Sequence, residues 1–123
     1  MQNRPFRFGP VFVAAAAADV LNPPVTAGGV NAGSALDCYI LLTHVRWVNV
    51  TAGPVTFTAY LGATGGSLAG TQVMGSGKSI AANDVYDWYG RMLIRVADFL
   101  TMVASAATSL TVEGEGEIGI GEL

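Results

Sequence analysis

Apolar and polar positions alternate with a period of two along much of this chain, which is the pattern of β-strands. The longest such run covers residues 37–51, which are rich in β-branched and aromatic types and contain no glycine or proline. Strict alternation places the odd-numbered side chains of this run on one face and the even-numbered ones on the other. Because both faces are substantially apolar, we expect this strand to be central in a two-layer structure or covered by a neighbouring subunit.

Shorter runs of the same kind follow, separated by turn-forming residues. Residues 55–61 come directly after an Ala-Gly-Pro turn and should form a hairpin with the preceding strand. Residues 83–90, NDVYDWYG, suit a turn that enters the next strand, and residues 97–107 predict a brief helical turn or an irregular connection. The other candidate strands are residues 11–17, 71–74, 78–82, 91–96, 109–113 and 117–120.

Several short strands with turn signals between them predict an all-β fold, an antiparallel β-sandwich with a jelly-roll-like topology. A partly open small barrel is the alternative. Residues 1–10, MQNRPFRFGP, combine basic and aromatic side chains with two prolines, which predicts an extended N-terminal arm. The remaining residues, 11–123, then form a single β-sandwich domain, with a long loop over the Pro- and Gly-rich residues 22–34.

The composition favours a role in assembly over a role in catalysis. The chain is 51% hydrophobic but has one histidine and one cysteine, and a domain of this size cannot bury so much apolar surface within itself. A net charge of -3 argues against nucleic-acid binding, which requires clustered basic residues. No apolar run approaches the roughly 18 residues that a membrane helix needs. The lone Cys38 cannot form an internal disulfide, so we expect the chain to fold in the cytosol.

The two reactive side chains lie in the same predicted strand. Cys38 and His44 share a face by alternation, but six residues of extended strand separate them by about 20 Å. They therefore cannot share a metal ion or act as a nucleophile and base within that strand. We expect His44 to be a hydrogen-bonded or interface side chain and Cys38 to be a buried thiol, with no catalytic residue, metal or cofactor.

Two motifs suggest ligands without matching a known ligand loop. The glycine-rich residues 62–70 lack the lysine and Ser/Thr of a phosphate-binding loop, and a strand follows them where a helix would be needed. The oxygen-bearing residues Asn83, Asp84 and Asp87 do not have the spacing of a calcium-binding EF-hand loop. A flexible loop and a turn held by side-chain hydrogen bonds are the expectations.

Three carboxylates alternate with glycines near the end of the chain. Glu113, Glu115 and Glu117 would project from one side of an extended strand about 7 Å apart. We interpret them as a solvated sheet edge that resists mispairing, or as a patch that faces basic residues on a partner.

Aromatic residues close to charges are the candidate contacts for a partner. The N-terminal aromatics could anchor on a neighbouring subunit, and the aromatic cluster before residue 90 could serve an interface or stack on a sugar. The candidate interface residues are Arg4, Phe6, Arg7, Phe8, Tyr86, Trp88 and Tyr89.

Three stretches of the chain carry a family resemblance: VRWVNVTAGPVTFTAYLGATGGSLAGTQV, then GKSIAANDVYDWYGRMLI, then ADFLTMVASAATSLTVEGEGEI. Together they resemble small virion proteins of tailed bacteriophages and prophages. In those proteins a strand ending near an R-x-x-N segment leads to a YLGATGG-like hairpin, a V-Y-D-W-Y-G segment and a closing G-E-I element. The resemblance covers about two-thirds of the chain, and its motifs are structural.

The resemblance implies a non-enzymatic β-sandwich protein of the virion, assembled in the host cytoplasm. Its expected role is capsid decoration, as a homotrimeric cement protein that binds the major capsid protein and stabilises the head shell. The alternatives are a head-tail connector, a tail or fibre-base component, and a carbohydrate-binding adhesion module on the virion. Neither nucleic acid nor a membrane is an expected partner.

Overall fold

The structure, a computed structural model, describes residues 2–22, 25–26, 38–62, 70–95 and 98–120. The described residues contain strands and turns but no helix, and so no helix that could cross a membrane. The strands in chain order are β1 (Gln2–Phe12), β2 (Ala18–Asn22), β3 (Val25–Thr26), β4 (Cys38–Asn49), β5 (Val55–Gly62), β6 (Gln72–Ile80), β7 (Val85–Arg95), β8 (Phe99–Ala104) and β9 (Leu110–Ile120).

These strands form two antiparallel sheets, which confirms the predicted all-β, sandwich-like architecture. Sheet A has four strands in the order β1-β9-β4-β7, and sheet B has five in the order β3-β2-β8-β5-β6. Each sheet turns its apolar side chains toward the other, and the two inner faces share one core. Most of the predicted loops at residues 22–34 and 62–70 lie outside the described residues.

The core joins the two sheets through aromatic and aliphatic contacts. Trp47 of β4 is fully buried and stacks on Phe57 of β5, with ring centroids 4.2 Å apart and planes 19° apart. Around this pair, side chains of all four strands of sheet A meet those of β2, β5, β6 and β8. Burial of a large apolar side chain contributes about 1.5–3 kcal/mol to folding, so this shared core is the main source of stability.

A β-bulge in β4 overturns the strict alternation expected for residues 37–51. Leu42 pairs with Gly116 and His44 pairs with Glu115, so β4 has one more residue than β9 at this point. As a result, Leu42 and Val45 are both buried in the core although their parity differs. The bulge shifts the phase of the strand, and the side chains of His44 and every second residue after it lie on the outer face.

The N-terminal segment differs from the predicted arm. Residues 2–12 are extended, but they form the edge strand β1 and pair with β9 from Gln2 to Phe12. Phe6 is only 3% exposed and Phe8 is fully buried, since both rings enter the shared core. Residues 2–10 therefore lie within sheet A in this structure, and Phe6 and Phe8 are core residues instead of exposed anchors.

The carboxylate-glycine repeat also has a different setting from the one expected. β9 lies between β1 and β4, so the three glutamates line the outer face of a central strand instead of a sheet edge. The intervening glycines are required by close contacts. A Cβ on Gly114 would overlap the ring of Phe8, and a Cβ on Gly116 would overlap the carbonyl oxygen of Leu41.

Two segments predicted as turns are strands. Residues 85–90 belong to β7, which pairs with β4 from Val48↔Val85 to Tyr39↔Arg95. Residues 99–104 form β8, although their apolar spacing suggested a helical turn. Pairing on both sides, with β2 and β5, satisfies the backbone of β8 and overrides that local signal.

A buried asparagine holds the turns at one end of the two sheets. Asn49, 1% exposed, donates from Nδ2 to the carbonyl oxygens of Gly53 at 2.9 Å and Ile80 at 3.0 Å. Its Oδ1 accepts hydrogen bonds from the backbone N–H and the hydroxyl of Thr51. The side chain thus fixes the β4–β5 turn against the β6–β7 turn.

We expect Asn49→Asp to destabilise the fold by about 1–3 kcal/mol, because a carboxylate would place an acceptor where the amide N–H groups donate. Urea denaturation measures this change in unfolding free energy. Asn83→Asp, the same substitution in an exposed turn, is the matched control and should change stability by less than about 0.5 kcal/mol. Equal effects at the two sites would contradict this role for Asn49.

We expect Gly116→Ala to cost about 1–3 kcal/mol, because the neighbouring carbonyl of β4 cannot move without disrupting the ladder. Gly53→Ala is the control, since a Cβ there would have no atom within 4 Å. Thermal unfolding of both variants gives the comparison. A Gly116→Ala protein as stable as the Gly53→Ala protein would show that β4 and β9 are less closely packed than described.

Candidate functional site

The outer face of sheet A, the side turned away from the core, gathers most of the ionisable side chains of the long strands. Two neighbouring rows cross the sheet at its centre because of the register of the strands. The first row contains Arg7, Glu115, His44 and Tyr89, and the second contains Glu113, Arg46 and Asp87. Opposite charges on neighbouring strands of one face stabilise such a sheet.

His44 lies between two carboxylates. Its Nε2 is 2.7 Å from Oδ1 of Asp87, and its Nδ1 is 2.9 Å from Oε1 of Glu115. Ionised carboxylates only accept hydrogen bonds, so both ring nitrogens must donate, and the ring must be the imidazolium cation. We call His44, Arg46, Asp87 and Glu115 the His44 cluster.

The surroundings raise the pKa of His44 above its ordinary value of 6.5. Partial burial of the ring lowers the pKa, but the hydrogen bonds to Asp87 and Glu115 and the negative charges of both groups outweigh that effect. The ring therefore keeps its proton to a higher pH than an unperturbed imidazole does.

Asp87 is shared between two cations. Arg46 donates from Nε to Oδ1 of Asp87 at 2.7 Å and from Nη2 to Oδ2 at 3.5 Å. These bonds to Arg46, followed by the bond from His44, lower the pKa of Asp87, and the same pairing raises the pKa of Arg46. Asp87 thus remains ionised well into the acidic range and keeps both cations in place.

Tyr89 covers the other side of the histidine ring. The two rings stack with centroids 4.6 Å apart and planes 9° apart, while Tyr89 remains 70% exposed. Stacking and the two hydrogen bonds together fix the orientation of the imidazole, so the cluster is ordered before any partner arrives.

A surface depression of about 250 Å³ adjoins the cluster, and five of its six lining residues carry ionisable side chains. Among the described residues, no group of His, Cys, Asp and Glu side chains is arranged to hold a metal ion. The two carboxylates of the cluster approach opposite nitrogens of the ring, so the imidazole has no free lone pair to act as a base. The lining residues are Arg7, His44, Arg46, Glu113, Gly114 and Glu115.

Apolar side chains flank the charged centre at both ends. Val48 pairs with Val85 at one end, and Leu41 pairs with Leu93 at the other. Every large hydrophobic side chain exposed in the described part of the chain projects from this face or its margin. These residues are Phe12, Val50, Val85, Tyr89 and Leu93, each between 42% and 70% exposed.

The structure disperses the aromatic cluster predicted as one interface. Tyr86 faces inward, where it stacks on Trp47 at 5.7 Å and lies beneath the ammonium group of Lys78. Trp88 is half-buried against the core, and Tyr89 alone of the three lies on the outer face. Alternation along β7 thus places Tyr86 and Trp88 on the inner face and Tyr89 on the outer face.

The predicted N-terminal contacts are likewise divided. Arg7 is exposed and lines the depression, whereas Phe6 and Phe8 are in the core. The side chain of Arg4 lies outside the described residues, as does that of Cys38.

The acidic residues considered for calcium do not act together. Asp84 lies in the β6–β7 turn, where its Oδ1 accepts from the N–H of Val85, and Asn83 has a left-handed backbone with φ of 55°. Asp87 lies in β7 on the outer face and binds His44 and Arg46.

The sequence analysis did not predict the His44 cluster. A signal for it was present, because one long predicted strand carries His44 and Arg46 and another carries the glutamate repeat, and opposite charges on two strands favour cross-strand pairing.

The chain matches no protein-family model and no curated protein.

We expect the stability that His44 contributes to depend on pH. Its folded-state pKa is raised, so the contribution is fully present below pH 6.5 and is lost as the pH rises through the folded-state pKa. The lowered pKa of Asp87 sets the other limit, since its contribution is lost as the pH falls through that value. The unfolding free energies of the wild type and of His44→Gln, measured by urea denaturation, should therefore differ by up to about 1 kcal/mol at pH ~6 and converge at pH ~9. A constant difference across this range would contradict the assignment.

Proposed function

We propose that this chain is a non-enzymatic structural protein of a bacteriophage virion, a capsid decoration protein that binds and stabilises the head shell through the outer face of sheet A. One observation carries the proposal. All five of the exposed large hydrophobic side chains in the described part of the chain belong to that face or its margin. Among the described residues, the outer face of sheet B has no large apolar side chain that is comparably exposed, and the side chains it presents include Thr56, Thr58 and Ser79.

The strand pairing supports a jelly-roll assignment within the sandwich. When the two-residue β3 is set aside, eight strands remain. In chain order, the first pairs with the last, the second with the second-last, and so on toward the middle of the chain. The pairs are β1 with β9, β2 with β8, β4 with β7, and β5 with β6. This is the pairing of a double Greek key, an architecture common in viral capsid domains. Such a fold hosts many functions, so the role rests on the outer face.

The composition of this face defines the partner. Its apolar ends would gain about 25 cal/mol for each Å² removed from water, which favours a partner with apolar side chains opposite them. At the centre, Arg7, protonated His44 and Arg46 balance Glu113, Glu115 and Asp87. A balanced centre favours a partner surface without excess charge, because an unpaired buried charge is costly. A shell built from many copies of the major capsid protein can present such a surface repeatedly.

Self-association accompanies this role in our proposal. Decoration proteins must match the local symmetry of the shell, and a homotrimer meets a threefold position with three identical contacts. Folding in the host cytoplasm needs no disulfide, and the net charge of -3 keeps the unassembled chain soluble. The assembled protein then resides in the virion. Copy number separates decoration from a connector or tail position, since decoration requires a stoichiometry close to that of the major capsid protein.

We expect Val85→Glu and Leu93→Glu each to reduce occupancy on particles at least tenfold, because each places a charge in an apolar contact without touching the core. The measurement is quantitative mass spectrometry of particles assembled with each variant. Ser79→Glu, which adds the same charge to sheet B, is the control and should retain wild-type occupancy.

Normal occupancy of both sheet A variants would overturn the assignment of the docking face. Absence of the wild-type protein from purified particles would overturn the virion role itself. Analytical ultracentrifugation of the wild type tests the oligomer, and a strict monomer at high protein concentration would contradict the trimer.

A further inference from the structure

We propose that the proton on His44 controls docking through the outer face of sheet A: the imidazolium form holds the face ready to bind, and loss of the proton releases Glu115 and weakens docking. This inference rests on the proposed function, because it concerns the regulation of the same face.

The geometry sets which proton is lost. Both ring nitrogens donate to carboxylates in the cluster, so deprotonation must leave one nitrogen with a lone pair facing a carboxylate oxygen. Asp87 is also held by Arg46 and has a side chain 26% exposed, whereas the side chain of Glu115 is 62% exposed. Within the described residues, the ion pair of the Glu115 carboxylate is with His44. The bond to Glu115 is therefore the one that breaks.

The step balances as a simple proton loss. The proton on Nδ1 leaves to solvent, and the proton on Nε2 stays in its bond to Asp87. The lone pair on Nδ1 then faces Oε1 of Glu115 at 2.9 Å, and two acceptors at that distance repel each other. Glu115 is exposed enough to move away from the ring into water.

The surrounding charges turn this local change into a change of the whole face. Arg7 approaches from β1, Glu113 and Glu117 flank Glu115 on β9, and Arg46 follows His44 on β4. From β7 come Asp87 and Tyr89. With His44 protonated the two central rows are neutral, and after proton loss they carry one negative charge that has no fixed partner.

Docking amplifies the effect because it removes water. In the free protein, solvent stabilises a released Glu115 carboxylate, but under a partner that carboxylate would be desolvated and unpaired. The docked state therefore binds the proton more tightly than the free state. Each unit of difference between the pKa of His44 in the docked and free states changes the affinity for the partner tenfold. At a pH where the free protein has lost the proton, docking must take one up from solvent, so the affinity falls as the pH rises.

The chain is well suited to a direct test because His44 is its one histidine. NMR titration of the imidazole nitrogens in the free protein should show one transition above 6.5, with the bond to Glu115 lost at high pH. Rebinding of the purified protein to particles stripped of it should weaken about tenfold or more between pH ~6 and pH ~9.

Variants on one strand separate the cluster from general charge effects. In Glu115→Gln, the amide can accept from a protonated Nδ1 or donate to a neutral one, so binding should become nearly independent of pH. Glu117→Gln removes one carboxylate from the same face of β9, two residues away, and should keep the wild-type pH dependence.

The outcomes distinguish this inference from the proposed function. Failure of the wild type to rebind at any pH overturns the docking role. Rebinding with constant affinity from pH ~6 to pH ~9, while His44 titrates by NMR, overturns control by the His44 proton and leaves the docking role intact. An unchanged pH dependence in Glu115→Gln would also overturn it.

Discussion

The packing of β4 against the opposite sheet is the interaction on which the rest of the molecule depends. Trp47 stacks on Phe57 across the two sheets, and Ile40, Leu42 and Val45 extend the same contact along the strand. A regular strand cannot keep all four of these side chains on one face, because alternation would send Val45 and Trp47 outward. The bulge at residues 43–44 resolves this conflict by changing the phase between Leu42 and Val45.

The same bulge determines which side chains lie on the outer face of sheet A. Once Val45 and Trp47 face inward, His44 and Arg46 must face outward, beside Asp87 on one neighbouring strand and Glu115 on the other. The His44 cluster is therefore a consequence of how the core is packed. Packing of the inner face and electrostatics of the outer face are two results of one local irregularity.

The sequence was sufficient to predict the all-β class, because alternating apolar runs separated by turn residues recur along the chain. It could not reveal the phase change in β4, because a bulge leaves no sign in residue types when both faces are apolar. For the same reason the partners of His44 were hidden, since they lie on strands far away in sequence. The strand β8 was missed because pairing on both of its sides, which is a tertiary effect, outweighs local spacing.

Rigidity links the core to the proposed role of the outer face. His44 and Arg46 alternate with Val45 and Trp47, which are fully buried, so their backbone cannot shift without disturbing the core. On β9, Gly114 and Gly116 let Phe8 and the backbone of β4 approach closely, which holds the intervening Glu115 in register. A face ordered in this way before binding loses little conformational entropy when a partner covers it. Its charge balance is equally fixed by the fold, so a single proton at His44 is one of the few changes that can alter it without unfolding the sheet.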